Sequence, residues 1–250
     1  GQIITGGGKE TSVIFPIQLG LSVFMLATMM MLPFSPGGQK KKEKVSSALL
    51  WRDHWFPMIF VCAFTMAIMM GFYAAHFSAY LRNVIGVSSA VSCILEIFLF
   101  FLTHKIIKKL GILNMMLLSI SMVTLRWFLF SFSASVPVIL FTQFLTQPFS
   151  WAMFSYAISV YVQRAVPEKL HATAQGLLNG TAFCLGKVVG TLGGSVAIAA
   201  VGEDAQQSVF AGMGLLCLAV LIASVVVFTK GGWKLKKEPE KFWLKESKAV

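Results

Sequence analysis

The chain has 250 residues, 56% of them hydrophobic and 12% charged, with a mean hydropathy of +0.76. Soluble domains carry about 25% charged residues, so this composition excludes a soluble enzyme and places the chain in a bilayer. The net charge of +11 does not indicate nucleic acid, because most of it flanks apolar segments. The four cysteines, Cys62, Cys93, Cys184 and Cys217, sit inside apolar runs, where a thiol behaves as a small hydrophobe. They offer neither a disulfide framework nor metal-ligand spacing. No cofactor motif and no constellation of serine, cysteine, histidine and acid points to an enzyme.

Seven segments are apolar over the roughly 20 residues that a helix needs to cross a bilayer core. Helix is the state that satisfies backbone polar groups within each segment. The expected fold class is an all-α integral membrane protein. The first segment, Ser12 to Phe34, precedes the polar run SPGGQKKKEK. The second, His54 to Leu81, carries Thr65, Tyr73, Tyr80 and Asn83 on one stripe, with His76 at its margin. The third, Gly86 to Thr103, holds Glu96, the one acid within the spans, near Ser89, Ser92, Cys93 and Thr103. The fourth, Gly111 to Phe132, presents Ser119 and Arg126 seven residues apart, with Ser133 a further seven on, a spacing that nearly superimposes side chains on a helix.

The fifth segment, Val136 to Val162, gathers Gln143, Thr146, Gln147, Ser150 and Tyr161 on a face that Pro148 interrupts. In the sixth, Ala172 to Val201, helical phase puts Lys187 on one stripe with Gly176, Gly180, Gly190 and Gly194. Glycine stripes mark close helix packing in membranes, and Leu178, Leu185, Val189 and Leu192 then face lipid. The seventh, Gln207 to Thr229, has no charge. Successive polar faces predict an aqueous cavity, with Gln143, Gln147, Tyr73, His76 and Asn179 as substrate-cavity candidates. Glu96, Arg126 and Lys187 form a candidate proton and charge network, since intramembrane charges cost about 2.5–3.5 kcal/mol and demand partners or water. For Glu96 and Arg126 a structural ion pair and a functional one are compatible. Lys187 is read either as a tether to a carbonyl or to Glu96, or as a third member of the network.

Basic residues fall on alternate connections: Lys40, Lys41, Lys42, Lys44 and Arg52; Lys105, Lys108 and Lys109; Arg164 and Lys169; and the lysines from Lys230 onward. By the positive-inside rule these connections are cytoplasmic. The amino terminus is then outside and the carboxyl terminus inside, with a plasma or inner membrane favoured over an organelle. The chain begins with Gly1 and its first span lacks a preceding signal pattern, which suggests a fragment. The expected organisation is residues 1–34 as the last helix of a missing amino-terminal half, 35–53 as a basic cytoplasmic linker, 54–229 as a six-helix unit and 230–250 as a basic tail. The expected partners are the bilayer, a small-molecule substrate, and the missing half or a second copy of the chain.

The runs ILEIFLFFLTHKIIKKLG, MVTLRWFLFSF, YVQRAVPEKLHATAQGLLNG and LGKVVGTLGG resemble the carboxyl-terminal half of major facilitator superfamily transporters, in the branch related to lactose permease and the nucleoside and phenylpropionate proton symporters. The resemblance covers about Trp51 to Thr229 and implies a six-helix half preceded by one extra helix. It implies that Glu96 and Arg126 belong to a central network linking proton movement to substrate binding. The implied function is transport of a small polar organic solute, sugar- or nucleoside-like, by alternating access with proton coupling. The chain departs from this branch at Thr146, Gln147 and Pro148, where a His-Gly pair is frequent, at Lys187, where a small residue is usual, and at His171, where arginine is usual. The layout of seven helices with an outside amino terminus also suits a receptor or a retinal protein. Against these stand the lack of charge in the last span and the absence of receptor signatures.

Overall fold

A computed structural model describes residues 20, 23–24, 47–53, 55–77, 85–132, 135–202 and 206–230; for 77, 85–93 and 136 only the backbone is described. Most of the expected first span, the lysine run before Lys44, Tyr80, Asn83, Ser133 and the basic tail lie outside these residues. Two compact units are present, Gly1–Glu43 and Lys44–Val250. In the first, residues 20, 23 and 24 are helical.

Every element of regular secondary structure among the described residues of the second unit is helical. A short helix α1 (Ala48–Arg52) falls inside the stretch expected to be linker. It is packed there because Leu50 and Asp53 are buried, and Trp51 meets Phe56 edge-on at 5.7 Å. Helix α2 (Phe56–Phe72) starts with proline in its first turn, where the missing N–H is no loss, and continues into a π turn, Tyr73–Phe77. Helix α3 (Ile85–Leu110) runs through HKIIKKL, expected as a loop. The lysines are good helix formers, and Ile107 is buried, so the segment extends the helix with one face packed. Gly111, at φ +84°, then turns the chain directly into α4 (Ile112–Phe132).

Helix α5 (Val136–Ala165) ends where Val166 takes the extended conformation that a following proline imposes. A single 3₁₀ turn, Glu168–Leu170, leads on. His171 closes this corner, its Nε2 lying 2.8 Å from the Val166 carbonyl. Helix α6 comprises His171–Gln175, a π segment Gly176–Ala182, and Phe183–Val201. Gly202, at φ +85°, ends it with an N–H bond to Ile198 O. Helix α7 is Gln206–Lys230.

Among the described residues, four helical runs are long and apolar enough to cross a membrane: Phe56–His76, Ile112–Phe132, Glu168–Val201 and Gln206–Lys230. Helices α3 and α5 have 26 and 30 residues and so exceed the core thickness at about 1.5 Å per residue, but polar and charged residues dilute them. The main packing pairs are α2 with α6, α4 with α5, α4 with α7, and α3 with α5. An aromatic cluster ties α2, α4 and α7 together. Phe72 lies 5.3 Å from Trp127, which lies 5.7 Å from Phe210, and all three are buried.

The α2–α6 contact is made by backbone. A Cβ on Gly71 would strike the Lys187 main chain, one on Gly186 would stand 2.6 Å from Phe64 O, and one on Gly190 would strike Ile68 O. Gly194 is filled by the rings of Phe72 and His76. Gly176 and Gly180, expected on this packed stripe, have open space beside them. The buried positions of α6 are Ala174, Leu178, Ala182, Gly186, Gly190 and Gly194, a four-residue step that drifts by about 40° each time on a helix and runs through the π segment, so the packed face leaves the fixed phase that would join Gly176 and Gly180 to Gly194. Leu178 is accordingly buried, whereas Leu185, Val189 and Leu192 are exposed. Gly190→Val should therefore destabilise the full-length protein by about 1–3 kcal/mol through overpacking, while Gly180→Ala leaves it unchanged. Thermal unfolding of both variants in detergent checks this.

Candidate functional site

Arg126 organises the interior. The residue is 7% exposed, and its guanidinium donates three hydrogen bonds to α5: Nε to Thr146 Oγ1 at 2.8 Å, Nη1 to Gln147 Oε1 at 2.6 Å, and Nη2 to Ser150 Oγ at 2.8 Å. Each hydroxyl has one proton and spends it on its own helix. Thr146 donates to Thr142 O at 2.8 Å and Ser150 to Gln147 O at 2.7 Å. Their lone pairs are thereby left to face the guanidinium. Thr146 and Ser150 are i, i+4 neighbours on α5 and Gln147 and Ser150 are i, i+3 neighbours, so Ser150 joins the other two acceptors around one guanidinium. Pro148 sits within this run.

Gln147 has a second partner. Its Nε2 donates to Glu96 Oε1 at 3.1 Å, so the amide lies between the carboxylate of α3 and the guanidinium of α4. One turn earlier on α5, Gln143 donates through Nε2 to the Tyr73 hydroxyl of α2. A cavity of about 290 Å³ opens beside these groups, and Tyr73, Arg126, Gln147, Ser150, Trp127 and Trp151 contribute to its wall together with Met66, Met69 and Met70. A second cavity of about 490 Å³ is bounded by Glu96, Phe100, Phe101, Trp151 and Ser155. Trp151 is common to both.

The sequence-derived candidates thus separate. Tyr73, Arg126 and Gln147 line the first cavity, Gln143 is joined to it through Tyr73, and Glu96 lines the second. Lys187 stands elsewhere: its Nζ lies 4.2 Å over the Phe183 ring of its own helix, and among the described residues no carboxylate partner meets it. Phe183 in turn stacks on Trp151 at 4.4 Å. His76 belongs to the α2–α6 seam, with Nε2 3.2 Å from Thr191 O and 3.3 Å from Ser195 Oγ. Asn179 is exposed and donates to Gln175 Oε1. Among the described residues no group of histidine, cysteine and acid side chains could hold a metal.

Periodicity did not single out Trp151 and Trp127, although each lies one helical step from a recognised polar residue: Trp127 follows Arg126, and Trp151 is four residues beyond Gln147. A further buried pair is Asp53 with Tyr161, whose hydroxyl donates to the Asp53 carboxylate and joins the entry of α2 to the end of α5.

These polar groups sit among apolar helices in a chain of which residues 11–211 match the MFS_1-like family. The chain belongs to the MFS_1-like family. It is therefore an integral, multi-pass membrane protein of the major facilitator type, and family members are transporters rather than enzymes. The chain is 24% identical over 202 residues to "Putative nucleoside transporter YegT" of Escherichia coli (strain K12), an alignment covering 74% of this chain and 47% of that protein. The chain thus spans about half the length of this relative. No solved structure matches it.

Removing an acceptor from the cradle strands a guanidinium donor, so Thr146→Val should destabilise the full-length protein by about 1–3 kcal/mol. In the Arg126→Met background the same change should be nearly neutral. A double-mutant cycle on thermal unfolding measures the difference, and equal costs in both backgrounds would contradict the cradle.

Proposed function

We propose that this chain is the carboxyl-terminal half, with one preceding helix, of a secondary transporter that works by alternating access and couples a nucleoside-like solute to protons. On this reading seven helices cross the membrane: Ser12 to Phe34, then α2 to α7. The amino terminus lies outside and the basic connections face the cytoplasm. The observation that carries the reading is the guanidinium of Arg126, held by three neutral oxygens at the wall of a cavity that also has two indole rings.

Arg126 has five N–H groups by its chemistry, and three are used on α5. The remaining donors suit acceptor oxygens of an uncharged solute. Trp151 and Trp127 supply aromatic faces of the kind on which sugars and heterocycles stack. The Gln143 and Tyr73 pair adds groups that both donate and accept. Glu96 is the proton site on this proposal, connected to Arg126 through one amide. The other half of the transporter, or a second copy of this chain, would complete the cavity. Support for a nucleoside over a sugar comes from the name of the relative.

Two measurements on the full-length protein in proteoliposomes test this, with uridine as the probe. Glu96→Gln should reduce accumulation driven by an inward proton gradient to simple equilibration; accumulation equal to the wild type would sink the coupling role. Trp151→Ala should raise the half-saturating uridine concentration roughly tenfold, as loss of one base–aromatic stack does. Failure of uridine and of a sugar panel to compete with one another or to be taken up would remove the substrate assignment.

A further inference from the structure

We propose that Gln147 is a polarity switch, reorienting its side-chain amide when Glu96 takes a proton and thereby releasing Arg126 to bind an acceptor oxygen of the solute. The inference rests on the transport reading above and names the group that would link the proton site to the solute site.

The direction of the amide is fixed by its neighbours. A guanidinium can only donate, so Gln147 must offer Oε1 to Arg126 Nη1, at 2.6 Å. An ionised carboxylate can only accept, so Nε2 must point at Glu96 Oε1, at 3.1 Å. Both bonds are satisfied in one orientation and both are lost in the other. Protonation changes this balance, because Glu96 then carries an O–H that requires an acceptor. The acceptor we assign to it is Gln147 Oε1, on the side chain already bonded to Glu96, and that oxygen is in service with Arg126.

Rotation of the amide by a half-turn gives Oε1 to the new carboxyl O–H. It also turns Nε2, a donor, toward Arg126, which cannot accept it. Arg126 Nη1 is left without its partner while Nε and Nη2 remain held by Thr146 and Ser150. The two donors repel, the amide swings clear of Nη1, and Arg126 then presents a freed donor to the cavity from an unchanged position. A solute oxygen restores the lost bond. The proton enters from water onto the Glu96 carboxylate, and no covalent bond other than this O–H is made or broken.

Few other charges can do this work. Tyr73 of α2 is bonded to Gln143, Lys187 of α6 lies over Phe183, and Tyr156 of α5 faces His104 of α3 at 3.4 Å. Glu96 itself borders a cavity separate from that of Arg126. The two sites communicate through the amide between them. Proton binding and solute binding then favour each other, which is the linkage that symport requires.

The test has one arm with a ligand and one without. In proteoliposomes of the full-length protein, with uridine as the probe, Gln147→Met should lower the ratio of gradient-driven accumulation to counterflow about tenfold, the loss expected for one hydrogen bond to a charged group. A purely structural role would reduce both modes together and leave the ratio intact. Gln147→His, whose ring can donate on one nitrogen and accept on the other, should restore the ratio. An unchanged ratio in Gln147→Met overturns the proposal.

The second arm uses pH-difference infrared spectra of the ligand-free protein. The Glu96 carboxyl band is identified by its loss in Glu96→Gln, and the Gln147 side-chain carbonyl band by its loss in Gln147→Met. The two bands should change over the same pH range. A Glu96 band that titrates while the Gln147 band stands still, or a Glu96 band that does not titrate, overturns the switch. Absence of uridine transport in the wild type removes the substrate reading alone, and the infrared arm still decides the switch.

Discussion

A guanidinium inside an apolar helix bundle must be given acceptors before the helices around it can settle. Placing such a charge at membrane depth costs about 2.5–3.5 kcal/mol on insertion scales, and interhelical hydrogen bonds in membranes return about 1–2 kcal/mol each. Three bonds to Arg126 are therefore about what its burial needs. They come from one helix, α5, within five residues, and this fixes the register of α4 on α5. The next residue, Trp127, then enters the aromatic cluster with Phe72 and Phe210, so the polar cradle and the apolar core of α2, α4 and α7 are set by the same turn of helix.

The α2–α6 contact is of another kind. There the helices meet main chain to main chain at Gly71, Gly186 and Gly190, with few side chains interlocked between them. Hydrogen bonds supplement this seam at Thr191, which donates to Gly71 O at 3.2 Å, and at His76. Both helices of the seam contain π turns, Tyr73–Phe77 and Gly176–Ala182. Such turns leave backbone groups less tightly committed than an α-helix does. The bundle thus has one edge, α4 with α5, held by directional bonds, and one, α2 with α6, held by shape. The cavity beside Arg126 draws its walls from α2, α4 and α5, and so touches both.

Much of this was legible in the sequence. Sevenfold and fourfold spacing put Arg126, Gln143 and Gln147 on inward faces, because α4 and α5 are regular enough for a 100° step to hold over several turns. The same rule failed on α6, where the buried face advances by four residues at a time through the π segment Gly176–Ala182 and on to Gly194. Lys187 meets Gly71 through its main-chain carbonyl, yet its ammonium ends over Phe183. Side-chain length defeats a projection based on Cα angles. Trp151 was passed over because hydropathy scales count an indole as filler, although its neighbours one turn away are glutamine and serine. Asp53 was read as a loop residue, since nothing local announces that Tyr161, 108 positions later, supplies its partner.

The separation of Glu96 from Arg126 by one amide has a consequence that a direct pair would not. A carboxylate bonded straight to a guanidinium in a low-dielectric site is held so strongly that removing its charge strands the other partner. Neutral bridging divides that penalty. The guanidinium keeps two hydroxyl oxygens whatever the state of Glu96, so its position survives a change of charge nearby. The carboxylate keeps an amide that can serve either as donor or as acceptor. Charge on one side of Trp151 can therefore change while the geometry on the other side is retained, with only the number of free donors altered. A site that must bind a solute and release it needs that adjustability more than it needs the strongest bond its charges could form.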